Sequence, residues 1–425
     1  MTSKGEIQEC FVYITLPGET EFVTAGKFQL TADRHGAPLG RFVYGDSYLA
    51  RDNAVPIDPL DLKLGKGTYE TRKLKGVFGA LRDASPDYWG RRVIEKHAGL
   101  QQLREMDYML QSPDDRAGAL GFGLNKEPPA ARRKFNQTIE LEKLQALAAA
   151  IVADEELPEG AAAEQVNDLL LVGTSMGGAR PKTVVEDNDA LWIAKFNRPD
   201  DKFNHARVER AMLCLAGACG LKAAESKVVP VAGRDVLMVK RFDREQTDGG
   251  YRRARMLSAL TLLRAEDSHQ DREKWSYVLL AEELRRISSQ PKTDAPELFR
   301  RMVLNALISN TDDHPRNHAV LAMHEEWRLS KAYDLTPILQ ISKERRDLAL
   351  NCGDLGRYAN AQNLLSQSAR FLLERAEATK IIDEMEQVVT ERWYDIARRE
   401  GITEKDCETI AGAMAYEGFR LPSGG

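Results

Sequence analysis

The stretch NTDDHPRN at positions 310–317 decides the fold prediction, because its acidic and amide residues recur at a characteristic interval. It follows a segment whose apolar residues Leu298, Met302 and Ala306 are spaced as on one face of an amphipathic helix. Asp312 and Asn317 stand at the Asp-x-x-x-x-Asn interval of a protein-kinase catalytic loop. This interval lets a carboxylate reach an attacking hydroxyl while an amide oxygen turns back towards magnesium. Taken alone, the same residues would favour an Asx-rich turn that caps a helix.

A second carboxylate follows in the sequence AYDLTP at 332–337, just after the strand-like WRL at 327–329. Phosphoryl transfer needs a carboxylate that holds magnesium on the β and γ phosphates, because Mg²⁺ prefers hard oxygen ligands. Asp334 occupies the place of that residue, after the catalytic loop and a short hairpin. It would also serve as the N-cap of the segment that follows, and the two interpretations are compatible.

Lys195 lies within the apolar strand-like segment LWIAKF at 191–196. A lysine there must bury its ammonium or extend it to water, and the pattern is that of the strand lysine of kinases, which pairs with nucleotide phosphates and a helix glutamate. Glu209 on the following helix is a candidate partner, because it shares a face with Leu213 and Ala216. The alternative is an edge lysine that faces solvent.

A glycine-rich stretch, GTSMGGARPKT at 173–183, directly precedes these strands. Its glycines would let main-chain N–H groups approach phosphates, although the stretch is not a Walker A sequence and a flexible turn is the alternative. The order of the pieces is more informative than any one of them. Together they indicate a two-lobed kinase, because they follow one another in this order: a glycine loop, a strand lysine, a helix glutamate, a hairpin, helices, an Asp/Asn loop and a further Asp.

The coarse pattern predicts an α+β fold. Short β-branched and aromatic runs at 11–14, 21–23 and 41–44 predict an antiparallel meander, strands return at 184–242, and the chain after 244 reads as helical almost throughout. We therefore predict a bilobal, protein-kinase-like architecture with an N-terminal β-rich subdomain (1–130), a nucleotide-binding part of the N-lobe (131–242) and an all-helical catalytic C-lobe (243–425).

Composition bounds the class of protein. The chain has 425 residues, 43% hydrophobic and 29% charged, with a formal net charge of −5, so it is an ordinary globular protein. No apolar run approaches the roughly 20 residues of a membrane-spanning helix, the N-terminus lacks a signal-peptide core, and the five cysteines are scattered, so we expect a cytoplasmic protein with no membrane partner. The basic clusters at 252–255 and 343–346 could contact DNA or an acidic partner, or simply be solvated faces.

Several of these stretches together resemble the HipA family of serine/threonine kinases, the toxin half of bacterial HipA–HipB toxin–antitoxin modules. The matching sequences are LRDASPDYWG at 81–90, GGARPK at 177–182, VKRFDR at 239–244, NTDDH at 310–314 with Asn317, and YDLTP at 333–337. The resemblance covers nearly the whole chain in the right order.

The resemblance implies roles for individual residues. Asp312 corresponds to the catalytic base, and Asn317 and Asp334 to the magnesium-binding pair. Ser175, with Thr174 beside it as a second acceptor, corresponds to the serine that the family autophosphorylates to silence the kinase. The residues that the patterns and the resemblance assign to ATP are Lys195 and Glu209, the hinge positions Lys240 and Phe242, His314, and Gly177, Gly178 and Lys182 of the nucleotide loop.

The resemblance also implies a biology. It predicts an ATP- and Mg²⁺-dependent kinase that arrests growth by phosphorylating a cytosolic protein such as an aminoacyl-tRNA synthetase. Its partner would be a HipB-like helix-turn-helix antitoxin, through which DNA is mainly contacted. Two other functions stay open: a small-molecule kinase, for which a phosphorylated Ser175 would have no purpose, and a DNA-associated corepressor with a vestigial kinase site.

Overall fold

The computed structural model describes residues 8–98, 103–112, 114, 116–131, 135–154, 180–339 and 342–421. The chain is 39% helical and 25% strand, which confirms the predicted mixture of helix and sheet. The strands are β1 (Gln8–Thr15), β2 (Phe22–Ala32), β3 (Pro38–Tyr44), β4 (Thr68–Thr71), β5 (Leu120–Gly123), β6 (Asn136–Gln137), β7 (Lys182–Asp187), β8 (Ala190–Phe196), β9 (Ser226–Val231), β10 (Arg234–Lys240), β11 (Arg244–Thr247), β12 (Gly250–Arg253), β13 (Arg255–Ser258), β14 (Ala319–Ala322) and β15 (Arg328–Leu329).

The helices lie mostly in the second half of the chain. The α-helices are α1 (Asp46–Leu49), α2 (Gly79–Asp83), α3 (Tyr88–Ala98), α4 (Glu105–Gln111), α5 (Leu141–Ala153), α6 (His205–Ala218), α7 (Ala259–Leu262), α8 (Tyr277–Ile287), α9 (Pro291–Leu307), α10 (Ala361–Ser366), α11 (Arg375–Arg399) and α12 (Glu404–Ala411). Short 3₁₀ helices cover Lys73–Gly76, Thr138–Glu140, His269–Lys274, Pro315–Asn317, Ser368–Phe371 and Glu417–Phe419. Within the described residues, no helix has the length and apolar character needed to cross a membrane.

The first sheet has the strand order β4-β3-β2-β1-β5, and each pair of neighbours is antiparallel. Alternation along these strands buries one face, where Phe28 and Phe42 are directly opposite each other and fully buried. The predicted meander is confirmed.

The segment 131–242, which is predicted from the sequence to bind nucleotide, contains two antiparallel hairpins. In the first, β7 pairs with β8, and β6 runs parallel to β7. In the second, β9 pairs with β10 around Ala232 and Gly233, whose φ angles of +46° and +76° are both left-handed, as a tight two-residue hairpin turn requires. Helix α6 ends at Ala218, and Gly220 follows with a left-handed φ of +79°, a conformation that glycine adopts readily after a helix.

The described residues form two compact units. The first contains residues up to 196 together with 241–257 and 321–326, and the second contains 197–240, 258–320 and residues from 327 onwards. Strands β7 and β8 therefore group with the N-terminal segment. The segment after 243 carries the short strands β11 to β15 besides its helices. These strands have two to four residues, which is too short to produce a readable alternation in the sequence. The ranges 1–130, 131–242 and 243–425 stay a prediction.

Candidate active site

Helix α9 delivers the chain to the NTDDHPRN loop. It begins at Pro291, where a missing N–H costs nothing, and its buried residues include Leu298, Met302 and Ala306 of the predicted stripe. The helix ends at Leu307, and Ser309 adopts a left-handed φ of +54°. The main-chain N–H of Asn310 then donates to the Asn305 carbonyl at 2.9 Å, which turns the loop back onto the helix.

The loop between Asp312 and Asn317 is held by its own main chain. The N–H of His314 donates to the Asp312 carbonyl at 2.8 Å, and the N–H of Asn317 donates to the His314 carbonyl at 2.9 Å. Asp312 is exposed, whereas Asn317 is buried. The two residues therefore have the environments that a catalytic carboxylate and a metal-holding amide need.

The environment of Asp312 favours its protonated form. Partial desolvation, with the nearby negative charges of Asp334 and Asp313, raises the pKa of Asp312 above the ordinary 3.8. The charges of His314 and Arg272 act in the opposite direction. A carboxyl with a raised pKa accepts a proton more readily than an ordinary aspartate, as a general base should.

Asn317 presents a buried side-chain oxygen that fits a ligand role. Its Oδ1 atom is buried and has no hydrogen-bond partner among the described residues. Leaving a buried acceptor unpaired costs about 1–3 kcal/mol, so such atoms usually mark a ligand or water position. An amide oxygen is a ligand that Mg²⁺ accepts, so the residue fits the predicted metal role. Among the residues that the structure describes, no group of three or more His, Cys, Asp or Glu side chains is arranged to hold a metal ion.

Asp334 adopts a left-handed backbone conformation with φ of +59°. Aspartate tolerates this region better than most residues, yet the conformation is costly and is typical of functional positions. The side-chain amide of Asn310 donates to the Asp334 carbonyl at 3.4 Å, and the hydroxyl of Tyr333 donates to the Arg316 carbonyl at 2.8 Å. These contacts bring Asp334 and the 310–317 loop together within the second unit.

A buried polar network that the sequence did not predict lies under this loop. The Asp313 carboxylate accepts hydrogen bonds from the Tyr277 hydroxyl, from Asn305 Nδ2 at 2.7 Å and from His318 Nε2 at 2.7 Å. Asp313 and Tyr277 are almost fully buried. Asn305 also accepts from the side chain of Asn310 at 3.0 Å, so one network fixes both ends of the loop. The adjacent residues Asp312 and Asp313 were the available signal of this network. If one of two neighbouring side chains faces the substrate, the other points into the protein and needs buried partners.

The two histidines of this region have different surroundings. His318 is committed to Asp313, whereas the Nδ1 atom of His314 is buried without a hydrogen-bond partner in the described part of the chain. His314 therefore remains a candidate for nucleotide contact, and its ATP role stays a prediction.

Lys182 and Lys195 face each other across the β7–β8 hairpin. They are directly opposed in the antiparallel register, so their side chains are on the same face of the sheet. The Lys182 ammonium is buried in an ion pair with Asp87 at 2.5 Å, and its main-chain carbonyl accepts from Trp89 Nε1 at 3.1 Å. Lys195 is half-buried, which is compatible with the predicted phosphate contact.

The remaining predicted ATP residues have distinct surroundings. Glu209 lies on α6 and is 5% exposed, so its predicted inward orientation is observed. The Lys240 ammonium pairs with Glu225 at 3.1 Å on the surface, and its main-chain N–H donates to the Glu225 carbonyl. Phe242 is half-buried. Thr174, Ser175, Gly177 and Gly178 lie outside the described residues.

The VKRFDR sequence forms a buried charge cluster beside Phe242. The Asp243 carboxylate accepts from Arg241 at 2.8 Å, from Arg244 at 2.7 Å and from the Gly118 N–H at 3.0 Å. Burial alone would raise the pKa of Asp243, but Arg241 and Arg244 hold it well below its usual range. The cluster fixes the segment that carries Phe242 against the chain around Gly118.

The basic clusters are only partly at the surface. Arg253 and Arg255 are each 4% exposed, and they pair with Asp114 and with the carbonyls of residues 324 and 325. Arg346 is also buried, where it donates to Ser309 and to the Gly412 carbonyl. These three guanidinium groups hold the fold together and are not available to DNA.

The chain matches two known domain families. Residues 23–123 match the HipA N-terminal domain, and residues 174–393, a little over half of the chain, match the HipA-like C-terminal domain. The chain therefore belongs to the HipA family.

Individual relatives agree with this placement. A curated protein of Sinorhizobium fredii, named "Putative kinase Y4mE", is 26% identical over 328 residues, which cover 72% of this chain and 74% of that protein. Among solved structures, HipA of Shewanella oneidensis MR-1, from a complex with HipB and operator DNA, has a TM-score of 0.67 at 15% identity and covers 95% of this chain and 94% of that one. That likeness confirms the fold.

A further solved structure, the proinflammatory kinase CtkA of Helicobacter pylori, matches 55% of this chain and 92% of its own length. Its TM-score is 0.35 at 15% identity, which is too low to support a conclusion.

Proposed function

We propose that this protein is an ATP- and Mg²⁺-dependent serine/threonine protein kinase that acts as a growth-arrest toxin. The observation that carries the proposal is the loop on which the reactive Asp312 is followed, five residues on, by the buried and unpaired Oδ1 atom of Asn317. A carboxylate ready to accept a proton and an amide oxygen that requires a ligand are the two groups a kinase catalytic loop must present.

Asp312 orients the acceptor hydroxyl and accepts its proton. The hydroxyl oxygen forms a bond to the γ-phosphorus as the bond between that phosphorus and the bridging oxygen breaks, and ADP leaves. Asn317 and Asp334 would hold magnesium, which neutralises the charge that develops on the phosphate oxygens. The Asp313 network keeps the loop rigid, so that the two functional groups stay in place.

The ATP residues are assigned from the family pattern. Lys195 binds phosphate, and Glu209 orients the Lys195 side chain. Lys240 and Phe242 contact adenine. Gly177 and Gly178 approach the phosphates, with Lys182 at the end of the same segment. His314 lies beside the nucleotide.

The toxin role rests on family membership and on the fold shared with the HipA of a toxin–antitoxin complex. By that analogy a HipB-like helix-turn-helix antitoxin is the partner, and DNA is reached mainly through it. The substrate is a cytoplasmic protein, such as an aminoacyl-tRNA synthetase. Autophosphorylation of Ser175, or of Thr174, silences the enzyme.

The test is brief expression in bacteria followed by quantitative phosphoproteomics and growth measurement. The wild type should arrest growth and raise phosphorylation of a small set of proteins and of Ser175 or Thr174. Asp312→Asn should do neither, whereas Asp395→Asn, at an exposed position on α11, should behave as the wild type. Equal phosphorylation by wild type and Asp312→Asn would refute the assignment, and an active enzyme that labels only small molecules would favour a metabolite kinase.

A further inference from the structure

The LRDASPDYWG sequence at 81–90 belongs to the N-terminal domain, and none of its residues has a place in the proposed chemistry. Two of its side chains nevertheless contact the first residue of β7, in the nucleotide-binding part. Asp87 pairs with the Lys182 ammonium at 2.5 Å, and Trp89 donates to the Lys182 carbonyl at 3.1 Å. Asp87 and Lys182 are separated by 95 positions in the chain, so the contact joins the two domains that the family comparison distinguishes.

Both side chains of the Asp87–Lys182 ion pair are buried. The side chains of Lys182 and Asp87 are only 2% and 3% exposed. Removing one partner of such a pair is strongly destabilising, because the remaining buried charge loses its counter-charge. The other Asp87 oxygen accepts from the Gly90 N–H at 2.9 Å and so caps α3. Asp87 therefore fixes the start of β7 to the start of a helix.

The position of Lys182 matters because of what faces it. Lys195, the proposed phosphate ligand, is directly opposite Lys182 on the same face of the β7–β8 hairpin. In the sequence, Gly177 and Gly178 come shortly before Lys182. A shift of the first residue of β7 would change the pairing opposite Lys195.

We propose that Asp87 is a positioning residue for the nucleotide phosphates, since its carboxylate fixes Lys182 and thereby the end of the β7–β8 hairpin that presents Lys195. This rests on the proposed kinase function. It gives the N-terminal domain a defined task in nucleotide binding, which is to hold the phosphate side of the site.

The test compares Asp87→Asn with the wild type by calorimetry, using two probes, AMP-PNP with Mg²⁺ and adenosine. Asparagine can still cap α3 but cannot neutralise Lys182, so the variant isolates the ion pair. We expect the affinity for AMP-PNP to fall about 10- to 100-fold, the range for a misplaced binding group, and the affinity for adenosine to stay unchanged. Glu105→Gln is the matched control, because it removes the ion pair (2.7 Å) between Glu105 on α4 and Arg91 on α3, the helix that Asp87 caps, and should change neither affinity.

The possible outcomes are distinct. If Asp87→Asn melts at a lower temperature but binds both probes as the wild type does, the residue is only structural and the proposal is wrong. An equal loss for both probes also overturns it, since the effect would not be specific to phosphates. If the wild type binds neither probe, the kinase proposal itself fails and this inference fails with it.

A second variant covers a failure of Asp87→Asn to fold. Trp89→Phe keeps an aromatic ring but removes the donor to the Lys182 carbonyl. It should weaken AMP-PNP binding relative to adenosine, in the same direction and to a smaller degree. An unchanged ratio of the two affinities would contradict the proposal.

Discussion

The side-chain amide of Asn310 donates a hydrogen bond to the main-chain carbonyl of Asp334 at 3.4 Å, across 24 positions of sequence. Asn310 opens the loop that carries Asp312, and Asp334 is the second carboxylate of the proposed site. The same amide also donates to Asn305 on α9. The Asn310 side chain therefore links the helix, the loop and the Asp334 backbone. A side chain of the 310–317 loop thus contacts the residue that adopts a left-handed φ.

Replacing Asn310 should therefore weaken metal binding. Asn310→Ala removes the donor to the buried Asn305 side chain, at about 1–3 kcal/mol, and also the donor to the carbonyl of the half-buried Asp334. We expect a lower melting temperature and a higher Mg²⁺ concentration for half-maximal phosphorylation. Asn363→Ala is the control, since Asn363 is also buried and donates to the carbonyls of Gly356 and Tyr358, far from the loop in sequence. Equal Mg²⁺ requirements in both variants would contradict this role.

The Tyr277 hydroxyl should contribute to both stability and rate. Tyr277→Phe removes one of three donors to Asp313 with little change of volume, which should cost about 1 kcal/mol of unfolding free energy. The loop above becomes less rigid, so kcat should fall while the KM for ATP changes little. Denaturant unfolding and steady-state kinetics measure the two effects. A fall in stability with unchanged kcat would show that the network supports only the fold.

The pH dependence of activity should report Asp312. The base must be ionised, and its pKa is raised, so the acid limb of kcat/KM should lie above the pH expected for an ordinary aspartate. Arg272 lowers the pKa of Asp312, and Arg272→Gln should therefore move the limb to still higher pH without changing the plateau. Arg285→Gln, at another exposed arginine, should leave the profile unchanged. A limb that does not move in Arg272→Gln would contradict the assignment of the limb to Asp312.

Asp58 should make the protein less stable as the pH rises. It is fully buried, one of its oxygens lacks a partner among the described residues, and burial raises its pKa to about 6. A folded-state pKa above the unfolded value gives stability that is complete below pH ~4 and is lost as the pH rises through 6, by about 3 kcal/mol at pH 8. About half of this stability is already lost at pH 5, so denaturant unfolding at pH 5 and pH 8 should differ by about 1.5 kcal/mol in the wild type and in the surface variant Asp52→Asn but not in Asp58→Asn. An equal change in the free energy of unfolding between pH 5 and pH 8 in all three proteins would refute this role of Asp58.

The sequence predicted the parts of the site that are local in the chain. The interval from Asp312 to Asn317, the position of Asp334 and the inward face of Glu209 could be read from spacing, because a loop after a helix and one face of a helix are set by neighbours. The Asp313 network could not, since Tyr277 is 36 positions away and reaches Asp313 only through tertiary packing. The same is true of the Asp87–Lys182 pair. Arg253 and Arg346 resembled surface charges because the groups that bury them are distant in sequence.

The central claim is that Asp312 drives transfer of the γ-phosphoryl group of ATP to a protein hydroxyl. Its most direct test is mass spectrometry of the purified intact chain after incubation with ATP and Mg²⁺, for the wild type and for Asp312→Asn. We predict that the wild type gains the mass of one phosphoryl group on Ser175 or Thr174 and that Asp312→Asn gains none while keeping its melting temperature. Phosphorylation of both proteins, or of neither although ATP is bound, would contradict the account.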